Sequence, residues 1–377
     1  MAQSVAPKCV LLSDMFPPAL GGSAVLFANL YSRIGLPVTV LTNSRPEMPA
    51  GFSYIPNVAI DPRHRGIVGR AAMRQHWKLT GVVRALAPAV VHCGRMLPEG
   101  IPATLATLTA RALPFAAWTH GEEINSALQS REHTWLMRRV HRHASLLLAN
   151  SRNTREVLER VGAEGSKIRV IYPGVDAERF EVRTQPRTDQ GKVLLSVGRL
   201  QRRKGHDLVL RALPALLKRH STLRYVIVGD GEERPRLESM ARELDVTAQV
   251  TFVGEVSDDL LPGYFGAADI FVLPNRVEKG DFEGFGIVFL EAAAAGLPTV
   301  GGRSGGVPEA VLEGETGLLV DGTDPAELEG ALHRLLVDRT LARSFGEAGQ
   351  RRVRQEFTWD ASAARLREAH FEMAARL

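Results

Sequence analysis

Cysteine is scarce in this chain. Only Cys9 and Cys93 occur in 377 residues. Both lie in apolar, strand-like runs, so a disulfide framework or a cysteine metal pair is not expected; both read as small buried filler, which fits a reducing cytoplasm. Long apolar stretches are missing too. No run of 18 uncharged apolar residues appears, so no membrane-spanning helix is expected. The first residues, Met1 to Lys8, lack the charge-then-apolar order of a secretory leader. There is no G-x-G-x-x-G fingerprint and no G-x-x-x-x-G-K-[ST] loop. Gly229-Asp230-Gly231 fails the first pattern, because Glu232, Glu233 and Arg234 follow. These gaps count against a dinucleotide-dependent enzyme and a P-loop nucleotidase. No low-complexity segment and no short repeat appears, which excludes an array of small repeats.

What is present is ordinary in bulk and distinctive in detail. Hydrophobic residues make up 45% and charged residues 24%, the balance of a soluble globular protein. At this length two domains are expected. The net charge of +5 and pI near 9.4 call for an acidic partner: nucleic acid, anionic lipid or a phosphorylated substrate. No nucleic-acid recognition motif supports the first.

Short β-rich runs alternate with helical patterns, which predicts an α/β fold with parallel sheets. In the first half the strand candidates are 9–12, 38–41, 89–92, 115–118 and 145–148. A polar, proline-bearing stretch from Glu181 to Gly191 is the linker candidate. The alternation then restarts with candidates at 193–197, 224–228, 250–253, 270–273 and 299–300. The expectation is two Rossmann-like, doubly wound parallel-sheet domains, residues 1–182 and 190–358, facing across a cleft. A last helix, about 360–377, has no strand after it and is free to pack back on the first domain. In such sheets ligands bind beyond the carboxyl ends of the strands.

The segment from Asp281 to Glu291 is the most informative. Glu283 and Glu291 stand eight positions apart across a glycine-rich turn and an apolar run. The pattern predicts loop, then helix, ending at Gly296-Leu297-Pro298. If helical throughout, that spacing corresponds to roughly 10 Å along one side. The N–H groups of Phe285, Gly286 and Ile287 then lie at a helix start, a ready anion site. Carboxylates for sugar hydroxyls beside a helix end for phosphate suggest a nucleotide sugar. After the strand at 193–197, four cations fall within Arg199 to Lys204. Arg199 and Lys204 are placed to clamp a diphosphate, one bidentately and one as a point charge. Charge runs are usually solvated, but this one sits at a strand end and a helix start. Gly21-Gly22 after the first strand allows close backbone approach, or is simply a tight turn. His120, beside Gly121 at a strand end, is a candidate to face the site, and His92 has the same geometry. Asp281 and Glu283 superficially match an Asp-x-Asp metal pair, but without a third ligand no metal is expected.

Taken together, these runs resemble the family 4 retaining glycosyltransferases of the GT-B fold. The carriers are Phe16-Pro17-Pro18 with Gly21-Gly22, His120-Gly121, Ala149-Asn150-Ser151, Tyr172-Pro173-Gly174-Val175-Asp176, Val197-Gly198-Arg199-Leu200 with Lys204-Gly205, Val228-Gly229-Asp230-Gly231, Phe252-Val253-Gly254, Glu283 to Glu291, and Gly305-Gly306-Val307-Pro308-Glu309. The resemblance spans nearly the whole chain, and loosely is nearest to mannosyltransferases acting on phosphatidylinositol mannosides. It implies that Glu283 binds hydroxyls of the donor sugar and Glu291 those of the ribose. It implies that Arg199, Lys204 and the N–H groups of Gly286 and Ile287 hold the diphosphate, with Gly22 approaching from the other domain. His120 would contact the sugar, and the base would lie by Glu255 and Val256. Many relatives carry a second histidine where Gly94 stands, which leaves a role for His92 open.

The implied reaction is retaining hexosyl transfer from GDP-mannose or a UDP-sugar to a lipid or glycan hydroxyl, with no cofactor. The basic segments 63–79 and 138–143 suggest docking on an anionic membrane from the cytoplasmic side, or else a solvated helix face. The competing readings are a two-domain oxidoreductase or epimerase, a phosphorylase with a pyridoxal cofactor, and a non-catalytic sugar-binding protein.

Overall fold

The computed structural model describes residues 8–17, 21–43, 49–55, 70–109, 113–181 and 191–375. By its internal contacts the chain forms two compact units. One comprises Met1–Pro173 with Trp359–Leu377, and the other Gly174–Thr358.

Among the described residues the first unit has seven parallel strands: β1 (Cys9–Leu12), β2 (Val38–Leu41), β3 (Ser53–Ile55), β4 (Val90–Cys93), β5 (Phe115–Thr119), β6 (Leu146–Ala149) and β7 (Ile168–Val170). Their order is β3-β2-β1-β4-β5-β6-β7. The connecting helices are α1 (Gly22–Arg33), α2 (Arg70–Leu86), α3 (Gly100–Thr109), α4 (Glu122–Leu128), α5 (Arg131–His143) and α6 (Arg152–Arg160). Strands β1, β4, β5 and β6 are buried along their whole length. That is why they read as continuous apolar runs rather than alternating ones.

The second unit opens with the single turn α7 (Ala177–Phe180). It carries β8 (Val193–Val197), β9 (Arg224–Val228), β10 (Val250–Gly254), β11 (Ile270–Leu273), β12 (Thr299–Gly302) and β13 (Gly317–Val320). Their order is β10-β9-β8-β11-β12-β13, again all parallel. Around them lie α8 (His206–Leu217), α9 (Arg234–Glu243), α10 (Leu261–Gly266), α11 (Ile287–Ala294), α12 (Val307–Ala310), α13 (Pro325–Val337) and α14 (Arg339–Glu356). The last helix, α15 (Trp359–Ala374), belongs to the first unit and packs on α1.

Two sequence expectations need correction. The first boundary, expected at 182, falls at Pro173. Phe180 packs edge-on against Phe265, with ring centroids 5.4 Å apart, so α7 is held by the second unit's core. The linker candidate runs largely through residues 182–190, which lie outside the described residues. Strands β3, β7 and β13 were not expected; they are the outermost strands of their sheets.

Among the described residues no helix is long and apolar enough to cross a membrane.

Candidate active site

In a doubly wound sheet the chain leaves the two central strands in opposite directions, and the loops there open a crevice. In the second unit those strands are β8 and β11. The loop after β8 ends in a 3₁₀ turn, Arg202–Lys204, closed by Gly205 in a left-handed conformation at φ 78°. A Cβ on Gly205 would stand 2.2 Å from the carbonyl oxygen of Pro274, so glycine is required where the two loops touch. The loop after β11 supplies Asn275, and the segment before α11 supplies Glu283.

These loops converge on one carboxylate oxygen. Lys204 Nζ lies 2.5 Å from Glu283 Oε2, Arg203 Nη1 at 3.1 Å and Asn275 Nδ2 at 3.0 Å, all three donating to it. Arg203 also reaches Asp281 through Nε at 3.0 Å. Burial pushes the Glu283 carboxyl up, but the charges and hydrogen bonds of Lys204 and Arg203 overcome it and hold the group near 2. Burial lowers Lys204, and Glu283 offsets part of that. The result is a buried cluster, its carboxylate ionised at neutral pH, at the carboxyl ends of the central strands.

The segment that carries Glu283 is braced from behind. Gly306 N–H donates to the carbonyl of Glu283 at 2.9 Å. A Cβ on Gly306 would sit 2.3 Å from the carbonyl oxygen of Gly284, so the two loops are in van der Waals contact. Gly286, at φ 90°, then caps α11. The first-turn N–H groups of such a helix lack intrahelical acceptors. Glu291 lies in the second turn of α11, so only part of the interval from Glu283 is helical. The estimate of roughly 10 Å from a continuous helix therefore does not apply. Burial raises Glu291 to about 7 against the pull of Arg179, with Asp258 adding to the rise. Its Oε2 has no hydrogen-bond partner among the described residues.

The structure brings Glu283 and Lys204 together. Arg199 is exposed on the same loop and close enough to Lys204 to depress it. Phe285 is buried, and Ile287 opens α11. Glu255 is exposed and Val256 half-buried just past β10. Gly22 and His120 belong to the first unit. Gly22 is the exposed first residue of α1, after Gly21 at φ 130°. His120 follows β5; its ring lies parallel to Trp118 at 6.3 Å, and Nε2 is 3.2 Å from the carbonyl of Gly94.

Sequence reasoning missed Arg203 and Asn275. Both were visible as types, but nothing in their spacing shows that they meet Glu283 rather than solvent. It also missed the ion cluster in the first unit's central loops, after β1 and β4. There Arg95 pairs with Asp14 at 2.5 Å and Glu99 at 3.3 Å. Burial and Asp14 raise Glu99 to about 8 despite Arg95. His92 is not at an opening. It is fully buried, with Nδ1 2.7 Å from the Tyr31 hydroxyl.

Residues 21–179 match the model described as Glycosyltransferase Family 4, and residues 178–352 that described as Glycosyl transferases group 1. A GDP-mannose-dependent alpha-(1-6)-phosphatidylinositol monomannoside mannosyltransferase of Mycobacterium tuberculosis is 30% identical over 389 aligned positions. The alignment covers 95% of this chain and 97% of that one. The chain belongs to glycosyltransferase family 4. The enzyme of the same name from Mycolicibacterium smegmatis is 37% identical, over 69% of the transferase and 70% of its relative. Among solved structures, a sucrose-phosphate synthase from Thermosynechococcus elongatus superposes with a TM-score of 0.81 at 23% identity, covering 98% and 100% of the two chains. The Anabaena protein HepE in complex with UDP and glucose superposes at 0.79 and 19% identity, covering 97% and 100%. The fold is thus GT-B. The transferase is a hexosyltransferase that moves a sugar from a nucleotide-sugar donor to a lipid or glycan acceptor.

Proposed function

We propose that the transferase moves a mannosyl unit from GDP-mannose to an anionic, phosphatidylinositol-based acceptor, with retention at the anomeric carbon. The observation that carries the reading is the Glu283 cluster. A carboxylate held near 2 by Lys204, Arg203 and Asn275 is a poor base and a poor nucleophile. It is well suited to accept hydrogen bonds from sugar hydroxyls in a fixed place. Lys204 and Arg199 then stabilise charge growing on the departing diphosphate, helped by the N–H groups of Gly286 and Ile287. The diphosphate, not a side chain, takes the acceptor proton, which suits front-face transfer. Glu291 binds the ribose hydroxyls, His120 the sugar, Gly22 the diphosphate, and Glu255 and Val256 lie by the base. The cations make a divalent metal unnecessary for the diphosphate, so turnover persists when magnesium is withheld. The mannosyl donor is favoured by the GDP-mannose-dependent activity of the relatives above.

The acceptor side favours a peripheral place on an anionic membrane. Of the basic segment 63–79, residues 63–69 lie outside the described residues. The rest lies in α2, where Arg74, Trp77 and Lys78 share an exposed face; Trp77 is 49% exposed. On α5, Arg131, Trp135, Arg138, Arg139 and Arg142 do the same. Trp135 is 59% exposed, with the Arg139 guanidinium 5.7 Å from its ring centre. Both helices pack on α3. Basic faces that each present one tryptophan match interfacial helices.

The deciding experiment is a thermal-shift panel of GDP, UDP and ADP with their sugars. A ligand that binds only the native state raises the melting point by mass action. A shift for GDP and GDP-mannose alone is expected, and a shift confined to UDP or ADP compounds overturns the donor. Product NMR then reads the anomeric configuration, and inversion overturns the mechanism.

A further inference from the structure

Three donor side chains converge inside the first unit, in a place the transfer reaction does not use. Register pairs Leu11 of β1 with His92 of β4. Cys9 lies two residues before Leu11, and side chains alternate along a strand, so Cys9 and His92 point to the same face of the sheet. Helix α1 covers that face with Tyr31, and α15 covers it with His370. Cys9, His92 and His370 are all fully buried, and one ligand atom from each lies within 4.8 Å of the other two. His92 Nε2 and His370 Nδ1 are 3.3 Å apart. Two imidazole nitrogens bound to one tetrahedral zinc at its usual bond length stand about 3.3 Å apart. The other nitrogen of His92, Nδ1, faces the Tyr31 hydroxyl at 2.7 Å, and Trp118 Nε1 donates to that hydroxyl at 3.0 Å. This is the outer support that fixes a ligating imidazole's orientation.

We propose that Cys9, His92 and His370 bind a zinc ion that fastens α15 to β1 and β4. One thiolate with two neutral imidazoles is a zinc-type donor set, with a fourth position left for water or another small donor. The ion crosslinks residues 361 positions apart, Cys9 and His370, and so holds the last helix on the unit where the chain began. Its role is structural: it lies in the first unit, whereas the Glu283 cluster lies in the second. Both imidazoles bind in their neutral form. Zinc binds the thiolate, so the Cys9 thiol gives up its proton as the Zn–S bond forms. Because the site is closed, loading accompanies folding or the opening of α15. Without an ion, the same groups form a hydrogen-bond chain from Trp118 through Tyr31 and His92 to His370.

The test is zinc content by elemental mass spectrometry on full-length protein. It is measured as purified, and after denaturation with chelator and refolding with zinc alone, followed by gel filtration. About one zinc per chain is expected, together with a higher melting point than the chelator-treated sample and slower hydrogen exchange in α15. Cys9→Ala and His370→Gln each lose the zinc, and either suffices if the other fails to fold. Cys93→Ala, on the opposite face of β4, keeps it. Less than a tenth of an equivalent in both wild-type preparations overturns the proposal, as does unchanged zinc in Cys9→Ala or His370→Gln. Then packing, the Arg169–Glu372 pair and the hydrogen-bond chain hold the helix without an ion.

Discussion

Glu283 and Glu291 are both carboxylates of one short segment, yet their surroundings drive them apart. Glu283, held near 2, contributes stability that is present above its unfolded value, near 4.5, and is lost as pH falls from there toward 2. Glu283→Gln removes that acid limb and leaves Lys204 buried without its counter-charge, while Arg203 keeps only Asp281. Breaking a buried pair this way costs about 3 kcal/mol or more. Urea melts from pH 3 to 8 should show the loss above pH 5 and convergence of the two proteins in acid. Glu291 runs the other way. Its folded value of about 7 exceeds the unfolded one, so its ionisation disfavours the fold as pH rises from about 4.5 to 7. Glu291→Gln should therefore gain stability over wild type at pH 8 relative to pH 5, in the same melts. For Lys204→Ala, turnover should fall on the order of 10²–10³, the loss of one group that stabilises charge in the transition state. Unchanged kcat in that variant would remove Lys204 from the reaction. At this scale the sequence disclosed residue types and loop positions but not partners. Arg199 and Arg203 are both arginines of one loop, and only the folded loop places Arg203 against Glu283 and leaves Arg199 exposed.

At the scale of elements, the central strands were legible because burial on both faces writes them as unbroken apolar runs. β1, β2, β8, β9 and β11 fall on the residues expected. Of the edge strands, β10 fell on its expected residues and the other three did not. β3, β7 and β13 are three or four residues long, and β7 carries Arg169, whose guanidinium turns outward to Glu372 of α15 at 2.7 Å. The three-residue β3 and β7, the latter broken by a charge, leave too little periodicity to read, whereas β13 is a four-residue buried apolar run like β1 and was overlooked. Loops are legible only through their glycines, and Gly205 shows why. It has both a left-handed backbone and a close neighbour, and it ends the turn that carries Arg203 and Lys204. Gly205→Ala must relieve the clash with Pro274 by shifting that turn. A conformational strain of about 1–3 kcal/mol is expected. Turnover should fall with the melting point, while far-UV circular dichroism stays native. A variant with a native melting point and full turnover would show that the turn moves freely.

The whole molecule carries a net charge of +5, and its basic faces on α2 and α5 are where the membrane reading is decided. Cations on a surface helix attract anionic headgroups at a range set by salt, while an exposed indole gains by leaving water at the interface. The two contributions separate experimentally. Pelleting with vesicles containing phosphatidylserine or phosphatidylinositol should be strong at low salt, absent with purely zwitterionic vesicles, and weakened several-fold by 0.5 M sodium chloride, where screening shortens to about 4 Å. Arg138→Glu with Arg142→Glu should abolish binding at every salt concentration. Trp77→Ala with Trp135→Ala should leave the salt dependence intact and weaken binding at each point. Both substituted pairs lie on exposed helix faces, so neither should alter the melting point by more than about 1 kcal/mol in stability. Turnover on a soluble, short-chain acceptor should then stay at the wild-type level, while turnover on a vesicle-embedded acceptor falls with binding. Equal pelleting of wild type and the glutamate pair on anionic vesicles would return both faces to the status of solvated helices. The hexosyl transfer itself would be untouched by that result, because its groups sit on other loops.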